Sequence, residues 1–294
     1  MPTRTVDQGF RDFLPKLTPT SRESTAAKNH RATIEACLKN NFGMTRFFRT
    51  GSLGNGTSIS GYSDVDYFAQ IPTENLNTNS TTTLRKVRNA LDTRFPDTGV
   101  NVSCPAVVVP FGTEGKESTE VTPADYIGVT SDDNEYKVYE IPDCSDGWMR
   151  SSPDAHNAYV REVNGDLSNK VKPLIRFIKA WKYYRYVPIS SFYLELRVAK
   201  YAEGESSIVY AEDMKRVFSY LDRIDLRDML DPMNISGYIS ACSTDAKLED
   251  AKSKLSTAIS RSEKACDAED NGDTEEAFKW WNLLYAYNFP SYRY

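Results

Sequence analysis

Histidine is nearly missing from this chain of 294 residues, where His30 and His156 are the only two. Its five cysteines, Cys37, Cys104, Cys144, Cys242 and Cys266, include no CxxC pair, so their spacing offers no zinc-ligand cluster. Their odd number also argues against a closed disulfide framework. Long apolar runs are missing as well. No stretch reaches the roughly 20 residues that a bilayer-spanning helix needs, and Met1 to Val6 lack a signal-peptide core. The expected location is the cytoplasm, with no membrane partner. Positive charge is not in excess either: 36 Lys and Arg stand against 41 Asp and Glu, a net charge of -5 that disfavours a broad nucleic-acid surface.

A hydrophobic content of 40% and a charged content of 26% are enough to build one large domain, or two intimately packed ones, around a sizeable core. Two regimes follow each other along the chain. After an irregular start in which Phe10, Phe13, Leu14 and Leu17 could form a short docking helix, Ser21 opens a helix with Ile34 and Leu38 on its apolar stripe. Gly43 ends it. His30 lies on or near that stripe and reads as a packed histidine. Strand-like segments follow at Met44 to Thr50, Asp64 to Ala69, Cys104 to Pro110, around Glu120 and at Tyr136 to Ile141, with one helix near Leu84 to Phe95. A turn at Gly112 to Glu117 should join two of these strands, and Asp132 and Asp133 read as a solvated acidic loop.

From Ser152 onward the periodicity is helical. Ser152-Pro153 opens one helix, Leu167 to Arg185 forms the next, and Ala211 to Leu221 another. Ile224 to Ile239 breaks regular structure, and two more helices carry Leu255 and Ile259, then Phe278 and Trp281. The expected organisation is therefore a sheet-containing unit over 1-150 and a helical unit over 151-294.

The chemistry concentrates in Gly51 to Phe68, reading GSLGNGTSISGYSDVDYF. Gly51-Ser52 follows a strand, where glycine lets the backbone turn sharply and approach a ligand, and backbone N–H groups with the Ser52 hydroxyl suit phosphate oxygens. Asp64 and Asp66 alternate with Val65 and so share one strand face. Two adjacent carboxylates repel unless a proton, a cation or a basic group sits between them, and hard oxygen ligands suit Mg²⁺ or Mn²⁺. Taken alone, Asp-x-Asp also occurs at solvated strand ends.

The Gly-Ser turn, the loop length and Asp-x-Asp together resemble the signature of the DNA polymerase beta-like nucleotidyltransferase superfamily. Glu120, in Ser118-Thr119-Glu120-Val121-Thr122-Pro123-Ala124, resembles the third carboxylate of one branch, the bacterial cGAS/DncV-like nucleotidyltransferases of anti-phage (CBASS) signalling. Many relatives carry Asp there. Leu174 to Lys182 is similar to the helix from which a lysine reaches the triphosphate, which points to Lys179 with Arg176 one turn earlier. Ile189 to Glu195 resembles the segment in which a serine contacts phosphate and the next aromatic stacks on a base, which points to Ser191 and Phe192. From the residues alone, Lys172, Arg176 and Lys179 read as a solvated basic flank, and Ser191 and Phe192 as a cap and a core residue.

The resemblance implies an α+β fold in which a polymerase beta-like lobe with a small mixed sheet packs on a helical lobe, as in OAS/cGAS-like bilobal enzymes. It further implies catalytic and metal-binding roles for Asp64, Asp66 and Glu120, with two Mg²⁺ or Mn²⁺ ions per active site, and nucleotide-binding roles for Gly51, Ser52, Arg176, Lys179, Ser191 and Phe192. The implied reaction makes a cyclic di- or trinucleotide from ribonucleoside triphosphates (ATP, GTP or pyrimidine) and releases pyrophosphate. Operon partner proteins acting on the C-terminus belong to the same picture, whereas a DNA-binding zinc thumb does not. A template-independent RNA or small-molecule nucleotidyltransferase is the alternative within the superfamily.

Overall fold

The computed structural model describes residues 2–19, 21–62, 64–111, 117–131 and 134–294, and only the backbone of 21–29 and 117. The expected Gly112 to Glu117 turn and the Asp132-Asp133 loop therefore fall largely outside the described residues.

The sheet is built from β1 (Arg46–Arg49), β2 (Val65–Gln70), β3 (Asn101–Ser103), β4 (Ala106–Phe111) and β5 (Glu117–Val129), in the order β1-β2-β5-β4-β3. β2 and β5 run parallel while the other pairs are antiparallel, which makes the sheet mixed. The second half of β5 pairs with β6 (Lys137–Pro142), which pairs with β7 (Trp148–Ser151), a strand that the sequence does not announce. Two helices, α2 (Ser21–Phe42) and α4 (Ser80–Arg94), cover one sheet face. Ile34, Leu38, Leu84, Val87 and Leu91 meet Phe47, Val65, Tyr67 and Val121 there. Burial of these alternate residues fixes the register, because a one-residue slip would turn every side chain over. It also directs Asp66 and Glu120, which are Cα partners across β2 and β5, to the opposite face.

That opposite face meets the helical half: α5 (Pro153–Asp166), α6 (Val171–Tyr184), α7 (Ser191–Ala202), α8 (Tyr210–Arg223), α9 (Asp245–Asp270) and α10 (Thr274–Leu284). α6 starts later than its periodicity suggests, after Ser168 and Asn169 take up left-handed backbone at φ 55 and 62°. Within the irregular 224–239 stretch lies a small hairpin of β8 (Met229–Leu230) and β9 (Tyr238–Ile239). The short helix expected near the start is present as α1 (Val6–Leu17), opened by a capping box between Thr5 and Gln8. Its Phe10 and Phe13 are fully buried against Phe177, Trp281 and Tyr285, with ring centroids 4.7–6.0 Å apart. The helical core is thus assembled from both ends of the sequence.

The cysteine expectation needs correction. Cys104 and Cys144 form a disulfide, with Cα atoms 5.7 Å apart, while Cys37, Cys242 and Cys266 are free. Strand register brings the pair together: β5 carries β4 along its first half and β6 along its second, which sets the β3–β4 turn beside the β6–β7 turn.

No helix among the described residues is long and apolar enough to cross a membrane.

Candidate active site

Between the exposed sheet face and the helical half lies a cavity of about 700 Å³. Gly51, Ser52, Asp64, Asp66 and Glu120 line it from one side, and Lys182, Tyr183, Ser191 and Phe192 from the other. A more open groove of about 550 Å³ between α2 and α4 holds none of these residues.

The turn after β1 is α3 (Gly51–Asn55), a single helical turn. Gly51 sits at φ +59°, and a Cβ built there would overlap the Asp66 carboxylate. The backbone therefore packs directly on the carboxylate, so both the left-handed conformation and the close approach require glycine. The Asp66 carbonyl accepts a hydrogen bond from the Thr50 amide at 2.9 Å, which fastens the turn to β2.

Asp66 and Glu120 face each other as Cα partners across β2 and β5, with Asp64 two residues before Asp66. Burial, followed by the charges of Glu120 and Asp64, pushes the Asp66 carboxyl well above the usual carboxylate range. Burial and then Asp64 raise Glu120. Asp64 is raised by burial, against the pull of Ser118 and the Lys182 charge. Among the described residues no three His, Cys, Asp or Glu side chains are gathered tightly enough to hold a metal ion as they stand. The donor set nevertheless suits a hard divalent cation: three carboxylates, Asp66 and Glu120 paired across β2 and β5 and Asp64 just before β2, whose repulsion a bound cation would relieve.

Across the cavity the structure redistributes the expected basic residues. Lys179 is fully buried, and its Nζ donates to Glu195 Oε1 at 2.7 Å, so it does not reach the cavity wall. Lys182, one turn further along α6, does reach it, and its Nζ donates to Ser191 Oγ at 2.6 Å. Burial and the neighbouring Lys179 charge push Lys182 down to about 8. Arg176 turns away toward Thr18, to which it donates at 3.4 Å, and burial lowers its guanidinium. Ser191 Oγ also lies 3.1 Å from the Tyr183 hydroxyl. The helix cap is supplied by Ser190, which accepts from the Tyr193 amide, so the Ser191 hydroxyl is left to Lys182 and Tyr183. Phe192 is 39% exposed on the cavity wall and stands edge-on to His156, 5.0 Å between centroids.

A sequence profile of the Second Messenger Oligonucleotide or Dinucleotide Synthetase (SMODS) domain matches residues 4–164, more than half of the chain. The chain belongs to the SMODS family. A probable cyclic nucleotide synthase of Bacillus cereus (strain VD146) is 29% identical over 158 residues, 52% of this chain and 46% of that protein. A cyclic AMP-AMP-AMP synthase of Acinetobacter sp. is 26% identical over 234 residues, 74% of this chain and 63% of that protein. The matches thus span about half to three-fifths of these relatives. The structure of CdnC from E. coli MS115-1 with ATP superposes with a TM-score of 0.72 at 18% identity, covering 97% of this chain and 98% of that one. The bilobal α+β fold of the bacterial cGAS/DncV-like group is therefore present here.

Several residues of this SMODS cavity escape sequence reading. Tyr62 stacks on Tyr183 at 5.1 Å, and both line the wall. The His156 Nε2–H donates to Asp231 Oδ2, 2.9 Å away. Burial alone would raise Asp231, but His156 and the amides of Ser236 and Met233 hold it well below the usual carboxylate range. This anchors the loop that brings Ser236, Tyr238 and Ser240 to the cavity. No local motif marks these positions. Lys182 did carry a signal, because it lies three residues beyond Lys179 on the same helix face.

Proposed function

We propose that this protein is a nucleotidyltransferase that joins ribonucleoside triphosphates into a cyclic di- or trinucleotide and releases pyrophosphate. The observation that carries this reading is one cavity with three mutually repelling carboxylates on its sheet side and the Lys182–Ser191 pair facing them. The names of the SMODS relatives support it. Asp64, Asp66 and Glu120 would hold two Mg²⁺ or Mn²⁺ ions, which when bound lower the pKa of the attacking ribose hydroxyl and neutralise the departing pyrophosphate. Ser52 and the amides of its turn, with Lys182 and Ser191, hold the triphosphate, and Phe192 offers its exposed face to a base. Lys179 acts from behind the wall and Arg176 stays outside it. We place the enzyme in the cytoplasm, in anti-phage defence, with a strand-bearing unit within 1-150 and a helical unit over 151-294 whose core α1 also joins. Operon partners acting on the C-terminus belong to the same proposal; in the structure the Tyr294 amide donates to the Pro2 carbonyl and Arg4 lies over the Tyr294 ring.

The test is incubation with all four ribonucleoside triphosphates and Mg²⁺ or Mn²⁺, then phosphatase treatment and mass spectrometry. The expected product is phosphatase-resistant, has the mass of a cyclic di- or trinucleotide, and is absent with the Asp64→Asn/Asp66→Asn protein. Extension of labelled RNA without such a product would establish the tailing reaction instead.

A pH dependence follows from Lys182. Its folded pKa is lowered to about 8, so the cation is present below that value and lost above it. kcat/KM for the triphosphate is therefore expected to fall as pH rises from 7 to 9. Lys182→Arg, whose guanidinium stays charged, should flatten that limb. An unchanged limb in the arginine variant would assign it to another group.

A further inference from the structure

We infer that Glu195 is a positioning residue that locks the Ser52 turn to the Lys182 and Ser191 helices, an inference that rests on the function proposed above. α3 has only five residues, too few to persist without outside support. Part of that support comes from Glu195 of α7: Asn55 Nδ2 donates to its Oε2 at 3.0 Å, and Thr57 Oγ1 to its Oε1 at 2.5 Å. Lys179 of α6 donates to the same Oε1. One carboxylate thus accepts from Asn55 of α3, from Thr57 just after it and from Lys179 of α6, and all four side chains are buried. Burial by itself would raise Glu195, but Lys179, Thr57 and Asn55 overcome it and hold the carboxyl below its ordinary value.

The spacing gives this knot its role. Asn55 follows Ser52 by one turn of α3, Glu195 follows Ser191 by one turn of α7, and Lys179 precedes Lys182 by one turn of α6. Each cavity-facing group therefore stands one helical turn from a member of the knot. The Asn55, Thr57 and Lys179 donors are spent on Glu195, and Lys179 is wholly out of reach of a ligand. The knot sets the distances among the groups that hold the triphosphate.

Thr57→Val removes one donor and keeps the shape. In the full-length protein its KM for the triphosphate is expected to rise about tenfold with kcat within about twofold, because ground-state and transition-state binding are lost together. Thr57→Ser should restore KM. A purely structural role would lower the melting temperature and the yield of active enzyme but leave KM unchanged, and that result would overturn the inference. Should Thr57→Val fail to fold, Lys179→Met/Glu195→Gln removes the buried charges together, and the same rise in KM is expected, with a wild-type KM again overturning it. A non-hydrolysable triphosphate analogue with Mg²⁺ is titrated into the wild type in parallel. Absence of binding there would sink the proposed function itself, whereas binding with no KM change in the variants would sink the positioning role alone.

Discussion

Asp66→Asn is expected to abolish nucleotide joining, with a loss of at least about a thousandfold in turnover, and at the same time to raise the melting temperature of the metal-free protein. The first effect follows from removing a charged oxygen ligand at the centre of the proposed metal set. The second follows from the raised carboxyls. Asp66 holds its proton more tightly in the folded protein than in the unfolded chain, because burial and the charges of Glu120 and Asp64 oppose its ionisation. Stability from this group is therefore lost as pH rises from the unfolded carboxylate range through the raised folded value, and the loss is complete above it. Asparagine removes that loss. Thermal unfolding in chelator at pH 7 checks the stability claim, and turnover in Mg²⁺ checks the chemistry. A variant that is both inactive and less stable would contradict the electrostatic account of the site.

Gly51→Ala should move stability the other way. Left-handed backbone at an L-residue costs about 1–2 kcal/mol, and the new methyl would overlap the Asp66 carboxylate. Since displacement of a reacting group by about 1 Å can cost about a hundredfold in rate, turnover is expected to fall by roughly that factor with a lowered melting temperature. Retention of full turnover would mean that Asp66 can shift without consequence, contrary to the role assigned to it. The two variants together separate repulsion from crowding: both impair turnover, but their melting temperatures diverge.

Much of this cavity is written in short-range patterns. The Gly51-Ser52 turn and the alternation of Asp64 with Asp66 depend on residues close in sequence, so turn chemistry and a period of two are enough to read them. The strand around Glu120 is legible for the same reason, although its pairing with β2 is visible only in the register. Lys179 and Lys182 lie beyond such reasoning. Both fit the same face of α6, and the choice between them is made by Glu195, which arrives from another helix and draws Lys179 inward. The Cys104–Cys144 bond was hidden likewise, because it depends on how β5 divides its length between β4 and β6. β7 and the 229–239 hairpin are too short for a periodicity to show. Phe10 and Phe13 were legible as a docking stripe, but their destination was not.

That destination bears on how the protein is made. On a ribosome the strand-bearing segment emerges soon after α1 and has most of its own packing partners within it. α1 does not: the aromatic rings that receive Phe10 and Phe13 are translated much later, on α6, α10 and the segment around Phe289. During that interval an amphipathic helix with two uncovered phenylalanines precedes a compact neighbour, a good target for chaperones and a weak point for misassembly. Closing the helical core then has to wait for the segment around Phe289, and it brings Thr3 beside Arg293.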